Sequence, residues 1–172
     1  MSLEPWQSGN YPGASHAREL KLNILPKWLK NDETAIMIVG DRVSMESPEG
    51  AFYLEAAKKI IKKGVYTMAT PKAYGKLAAE GAPPNEYASL PELIKKVTDD
   101  KFPNLEAVML FGIRQYYFQS QALQALKHNW SGRKILSLDP FFQPSATYSA
   151  PTVSRKKTEA WRDEVLAAID QI

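Results

Sequence analysis

Two short turns hold the residues best suited to gripping a ligand, Gly40-Asp41-Arg42 and Gly112-Ile113-Arg114, each placed directly after a run of apolar residues. A glycine at the end of a buried strand lets backbone amides come close to a phosphate, and Arg42 or Arg114 adds positive charge. In an open α/β sheet ligands bind beyond the carboxyl ends of the strands, where the strand order reverses. If it reverses between these two runs, both turns face one crevice. Gly40, Asp41, Gly112, Ile113 and Arg114 are then the candidate cofactor-binding residues. A dinucleotide would bring its pyrophosphate to the amides after Gly40 or Gly112, and neutralising Arg114 would weaken it by roughly 1–3 kcal/mol. Neither turn contains G-x-G-x-x-G, so an inherited crevice or a partner surface stands beside nucleotide binding as a reading of the same residues.

Other chemistry finds little support. The chain has no cysteine and two histidines, His16 and His128. That composition excludes disulfides and thiolate-held iron–sulfur clusters, and leaves no ordinary zinc, haem or nickel ligand set. His128 falls late in an expected helix beside Asn129 and Trp130, where a favourable dipole interaction explains it. Ser120 and Asp139 have no recognisable histidine partner for a hydrolase triad, and Asp99-Asp100 reads as solvent-facing charge. No catalytic and no metal-binding residue is expected. The formal net charge of +3 and isoelectric point near 9.0 come from dispersed lysines, with no basic stripe interleaved with aromatics, so no nucleic-acid partner is expected. With 44% hydrophobic and 24% charged residues the composition is that of a soluble globular protein. No apolar run approaches the roughly 20 residues of a membrane helix, and no signal-peptide layout opens the chain. A cytoplasmic protein without a membrane partner is the expectation.

The elements that must position the two turns are legible. Ala107–Phe142 (AVMLFGIRQYYFQSQALQALKHNWSGRKILSLDPFF) reads as one β-α-β unit. Ala107–Phe111 and Lys134–Leu138 are continuous apolar runs suited to parallel strands covered on both faces. Phe118, Ala122, Leu123, Ala125 and Leu126 recur between them at helical spacing, and Gly132 stops the pattern. Ala35–Val39 and Val65–Met68 are two further strands, with the first expected beside Ala107–Phe111. Helices are expected over Arg18–Asn31, with Pro26 in a first turn near Leu25, around Phe52–Ile61, over Thr70–Ala82, from Leu90 with Pro91 in its first turn, and over Thr158–Ile172. Strands alternating with helices predict a doubly wound parallel sheet, a Rossmann-like α/β fold. Residues 1–17, rich in Gly, Pro and Ser, read as an extended arm, and residues 18–172 as a single domain.

Large rings are more numerous in turns and termini than a domain of this size normally leaves wet. Trp6 and Tyr11 lie on the arm, Tyr116-Tyr117-Phe118 cannot all face one core, and Phe141-Phe142 follows a strand. These rings predict that the isolated chain self-associates as a homo-oligomer, or that it docks on a larger partner.

The stretches AIMIVG and VMLFGIRQYYFQSQALQALKHNWSGRKILSLDPFFQPSATYS, followed by the closing helix, carry a family likeness. From about Leu25 to the C-terminus the chain resembles the epsilon subunits of archaeal acetyl-CoA decarbonylase/synthase complexes. The specific features are the Gly112 turn followed by Tyr117 and Gln119, and the later Gln143, Ala146-Thr147 and Ser149. The resemblance implies the nucleotide-binding fold shared with deoxyhypusine synthase, a deoxyhypusine-synthase-like NAD/FAD-binding domain. It also implies a partner, the alpha subunit that bears the carbon monoxide dehydrogenase metal clusters. The role it implies is either stabilising that partner or aiding electron transfer to FAD. A chain without cysteine cannot hold the clusters itself, so the carbon monoxide chemistry belongs to the partner. A flavin- or nucleotide-binding electron-transfer protein acting on its own is the alternative.

Overall fold

The computed structural model describes residues 17–99, 101–129 and 133–172. The arm expected at the start, with Trp6, Tyr11 and His16, and the Gly132 helix stop lie outside them. Seven parallel strands form one open sheet in the order β1-β7-β6-β5-β2-β3-β4, with β1 Arg18–Glu19, β2 Ala35–Val39, β3 Tyr66–Ala69, β4 Glu86–Tyr87, β5 Ala107–Phe111, β6 Lys134–Ser137 and β7 Tyr148–Ser149. Ala35 pairs with Ala107 and Val39 with Phe111, so the two turns that follow β2 and β5 start from neighbouring strand ends. The order reverses there, since β3 and β4 extend one way from β2 while β6 and β7 extend the other from β5.

Side chains alternate between two cores, as the pleat requires. Met37, Val39, Met109, Phe111 and Leu136 face α2 (Pro48–Lys62) and α6 (Thr158–Asp170), meeting Tyr53, Ala56, Ile60, Trp161 and Val165. Ile36, Ile38, Val108, Leu110 and Ile135 face the opposite way, onto α4 (Leu90–Thr98) and α5 (Tyr116–Asn129), meeting Leu93, Val97, Leu123 and Leu126. Helices on both faces give the doubly wound, Rossmann-like arrangement. The strand interiors read as unbroken apolar runs because both faces are covered.

Local signals set the helix starts. Ser47 caps α2 by accepting from the Gly50 amide at 3.1 Å, and Pro48 occupies the first turn, where no amide is needed. At α4, Glu92 reaches back to accept from the Ser89 amide at 3.0 Å, with Pro91 in the first turn. Gly64, at φ +83°, ends α2. The short helix α3 spans Pro71–Ala79.

The helical spacing over Arg18–Asn31 belongs only in part to a helix, which starts at Leu25 as expected. That stretch divides into β1, a 3-10 helix at Leu22–Ile24 and a four-residue α1, Leu25–Trp28, with Pro26 in its first turn as expected. The spaced residues Leu20, Ile24, Trp28 and Leu29 are spread over the end of β1, the 3-10 helix and α1, with Leu20 and Leu29 buried and Ile24 and Trp28 half-buried, so they do not form one helix face. Phe118 is also corrected. The buried stripe of α5 is Gln119, Ala122, Leu123 and Leu126, an i, i+3, i+4, i+7 set, and Phe118 is left half out of contact.

Candidate functional site

The two glycine turns interlock. The Gly40 amide donates to the Phe111 carbonyl at 2.9 Å and the Arg42 amide to the Gly112 carbonyl at 3.0 Å. A Cβ on Gly40 would stand 2.7 Å from the Gly112 carbonyl oxygen and from the Ile113 Cα, so only glycine lets the turns touch. Gly112 itself has φ +70°, and a Cβ there would meet the Tyr53 ring at 3.2 Å. The Arg42 side chain then staples the second turn, with Nε donating to the Ile113 carbonyl at 3.1 Å and Nη2 to the Arg114 carbonyl at 3.2 Å. Its remaining nitrogen pairs with Glu49, and its plane lies 5.4 Å from the Phe141 ring centre. Arg42 is therefore spent on structure, whereas Arg114 is exposed.

Asp139, which follows β6, is fully buried beneath this turn. It accepts from the Gly112 amide at 3.0 Å and from Gln119 Nε2 at 2.6 Å, and the same Gln119 nitrogen reaches the Ser137 hydroxyl at 3.2 Å. Burial pushes the Asp139 carboxyl up to about 6, against the Tyr53 and Gln119 donors, the Gly112 amide and the Arg42 charge, all of which favour the ionised form. Burial, and next the Asp139 charge, push the Tyr53 hydroxyl far above its ordinary value. That hydroxyl completes no hydrogen bond of standard geometry among the described residues, so its pull on Asp139 is that of a nearby dipole. Gln119 Oε1 and the Gln143 side-chain amide are likewise buried without partners among the described residues. On the other flank, the Thr70 hydroxyl donates to the Asp41 carboxylate and the Thr70 amide to the Val39 carbonyl at 3.1 Å.

Above the interlocked turns lies a cleft of about 810 Å³ between α4 and α5. Leu90, Pro91 and Ile94 form one wall, Phe118, Ala122 and Ala125 the other, and Gly40, Asp41, Thr70 and Ile113 the floor. Arg114, Gln115 and Gln121 add polar groups. Its size is that of small-molecule sites generally. Of the residues expected to bind a cofactor, Gly40, Asp41, Ile113 and Arg114 line this space, and Gly112 lies in the same turn with its amide turned to Asp139.

The fit to a dinucleotide is divided. The apolar walls accommodate a flat ring, but the Gly40, Arg42 and Gly112 amides already donate within the protein, and the Asp139 carboxylate sits behind the last of them. A pyrophosphate would have to use the other amides of the two turns. The sequence did not disclose Asp139 as the clamp of this turn, because its partners lie 27 and 20 residues away. One signal was present, a glutamine at position 119 on the stripe that α5 buries. Among the described residues no three His, Cys, Asp or Glu side chains gather as a metal site would need.

Beside the cleft the first turn of α5 carries Tyr116, Tyr117 and Phe118, at 48%, 65% and 49% exposure. Tyr116 leans on Phe141, with ring centres 5.5 Å apart, and the Gln121 amide group donates to the Tyr117 hydroxyl at 2.8 Å. No helix among the described residues is long and apolar enough to cross a membrane.

Among solved structures, a ribokinase-like superfamily protein from Enterococcus faecalis V583 shares 14% identity at a TM-score of 0.39, covering 75% of this chain and 47% of that one. A nickel-free carbon monoxide dehydrogenase from Thermococcus sp. AM4 shares 17% at 0.41, covering 91% and 23%. A structure of acetyl-CoA synthase/carbon monoxide dehydrogenase, described by its nickel–zinc and nickel–nickel clusters in closed and open alpha subunits, shares 14% at 0.37, covering 83% and 20%. The chain thus spans less than half the length of each, and likenesses this distant do not bear on function. The family comparison reaches further, because the model described as CO dehydrogenase beta subunit/acetyl-CoA synthase epsilon subunit matches residues 1–165, and so takes in both glycine turns, Gln119 and Asp139. With nearly its whole length matched, the chain belongs to the CO dehydrogenase beta subunit/acetyl-CoA synthase epsilon subunit family.

Proposed function

We propose that the chain is an accessory subunit of the carbon monoxide dehydrogenase component of an acetyl-CoA decarbonylase/synthase complex, docked on the metal-bearing alpha subunit and stabilising it. The observation that carries this reading is the exposed ridge Tyr116-Tyr117-Phe118 on the first turn of α5. Each ring buried in an interface contributes on the order of 1–3 kcal/mol, so two or three together anchor a stable contact. Pull-down with the alpha subunit tests it. Wild-type chain is expected to bind and to raise the thermal midpoint of the alpha subunit, and Tyr117→Ala to weaken binding by about tenfold or more, a loss of roughly 1.4 kcal/mol. A wild-type chain that ignores the alpha subunit would sink the reading. The same ridge supports self-association of the chain when isolated, which light scattering reads directly.

The cleft at the strand-order reversal favours a second reading, a deoxyhypusine-synthase-like NAD/FAD-binding site that aids electron transfer to FAD. Its ring would lie between Leu90, Ile94 and Phe118, with Asp41 and Arg114 as polar contacts. FAD and nicotinamide nucleotides titrated into the chain are expected to saturate, with Arg114→Gln weakening binding by about 1–3 kcal/mol. No saturation at millimolar ligand would leave the scaffold role alone.

A further inference from the structure

The ridge Tyr116-Tyr117-Phe118 gives the docking contact its apolar centre, and the charges around it set what chemistry the partner must present. We infer that the docking surface is the carboxyl-end edge of the sheet, and that it binds an acidic, apolar-tipped protein surface more tightly than the second copy of this chain that the ridge recruits in isolation. This rests on the docking reading proposed above.

The aromatic ridge does not stand alone. From Tyr116 the contacts run to Phe141, whose neighbour Phe142 donates its amide to the Thr152 hydroxyl at 3.2 Å, while the Val153 amide donates to the Pro140 carbonyl at 3.0 Å. Two residues later comes the 3-10 helix Arg155–Lys157, three consecutive exposed cations in front of α6, none of them buried in the fold. Ridge and cations therefore share one stretch of surface. Arg114, in the turn after β5, and Lys72, in the first turn of α3, are exposed on the same edge.

The carboxylates at this edge do little to offset them. Asp41 is taken by Thr70, Glu49 by Arg42, Glu92 by Ser89, and Asp139 is buried. Glu46 and Glu159 remain. Helices α2 to α6 also begin at this edge, each directing the positive end of its dipole outward. At the opposite edge two of the cations are answered internally, since Lys59 pairs with both Asp170 carboxylate oxygens at 2.9 Å and Lys63 reaches the Asp170 and Ile172 carbonyls.

These charges choose the occupant. A second copy would set like charge against like around the rings, whereas an acidic surface gains from the same field. The cleft next to Phe118 offers that partner a place for one apolar side chain, between Leu90 and Ile94.

The test measures association of the full chain with the alpha subunit as salt rises from about 0.01 M to about 0.15 M, where the screening length falls from roughly 30 Å to roughly 8 Å. The wild-type rate is expected to fall with salt. Arg155→Glu/Lys156→Glu/Lys157→Glu should lower it by about tenfold or more at the lower salt, the size of an electrostatic steering effect. At about 0.15 M, where the screening length is roughly 8 Å, Lys62→Glu/Lys95→Glu, at the other edge, should change it less than about twofold. Arg114→Glu serves as a second variant, and unchanged circular dichroism confirms that each variant is folded. Tight binding with no salt dependence and no response to the triple reversal would overturn the acidic-partner inference while leaving the docking reading intact. A wild-type chain that never binds the alpha subunit would instead overturn the docking reading and this inference with it.

Discussion

Asp139 sets the behaviour of the site at the scale of single residues. It has no escape to solvent, so it relies on the Gly112 amide and the Gln119 side chain, and they do not fully replace water. Its carboxyl, held up to about 6 against an ordinary 3.8, keeps a proton in the folded chain that the unfolded chain releases between those values. The stability this proton contributes is complete below the ordinary carboxylate range and is lost as pH rises through about 6. Urea unfolding is therefore expected to show a more stable chain at pH 5 than at pH 7 from this group. Asp139→Asn should remove that slope and raise stability at pH 7 by about 1–3 kcal/mol, with the Gln119 amide turned to accept from the new donor. A pH 7 midpoint that drops instead would show that the carboxylate charge is needed where it lies.

At the scale of elements, the interlocked turns place β2, β5 and the start of α5 relative to one another. Three glycine substitutions separate contact from chain freedom. Gly40→Ala is expected to destabilise by about 2–4 kcal/mol because backbone, which cannot move aside, meets the new methyl. Gly112→Ala should lose about 1–3 kcal/mol through its positive φ and the nearby Tyr53 ring. Gly75→Ala, in the middle of α3 with nothing within 4 Å, should gain about 0.5–1 kcal/mol. Denaturant midpoints check all three, and a Gly40→Ala change as mild as Gly75→Ala would refute the contact. The glycines themselves were legible as turns after buried strands. Their mutual contact was not, since it joins residues 72 apart in the chain through the Arg42 side chain. Phe118 was misread for a related reason, because a polar residue next to it, Gln119, had a buried partner that the sequence does not reveal.

At the scale of the molecule, the four inner strands were readable because each carries its own apolar run. The strands β1, β4 and β7, of two residues each, were not, since two residues are too few to show a pattern and only their neighbours define them. One feature of the inner four reaches beyond ligand and partner. The ends of β6, β5, β2 and β3 are laced crosswise, from Asp139 to Gly112, from Gly112 to Arg42, and from Asp41 to Thr70. Each strand end is thereby tied to the next by a bond running across the grain of the sheet. Such a lashing makes the four ends move as one beam, so none of these amides can open to solvent by local fraying. In hydrogen exchange the amides of Gly40, Arg42 and Gly112 should trade deuterium together, at the rate of global unfolding, while amides in the first turn of α5 trade early. Protonation of Asp139 would not cut the lashing, but Asp139→Ala would, and it should release the Gly112 amide to exchange ahead of the other two.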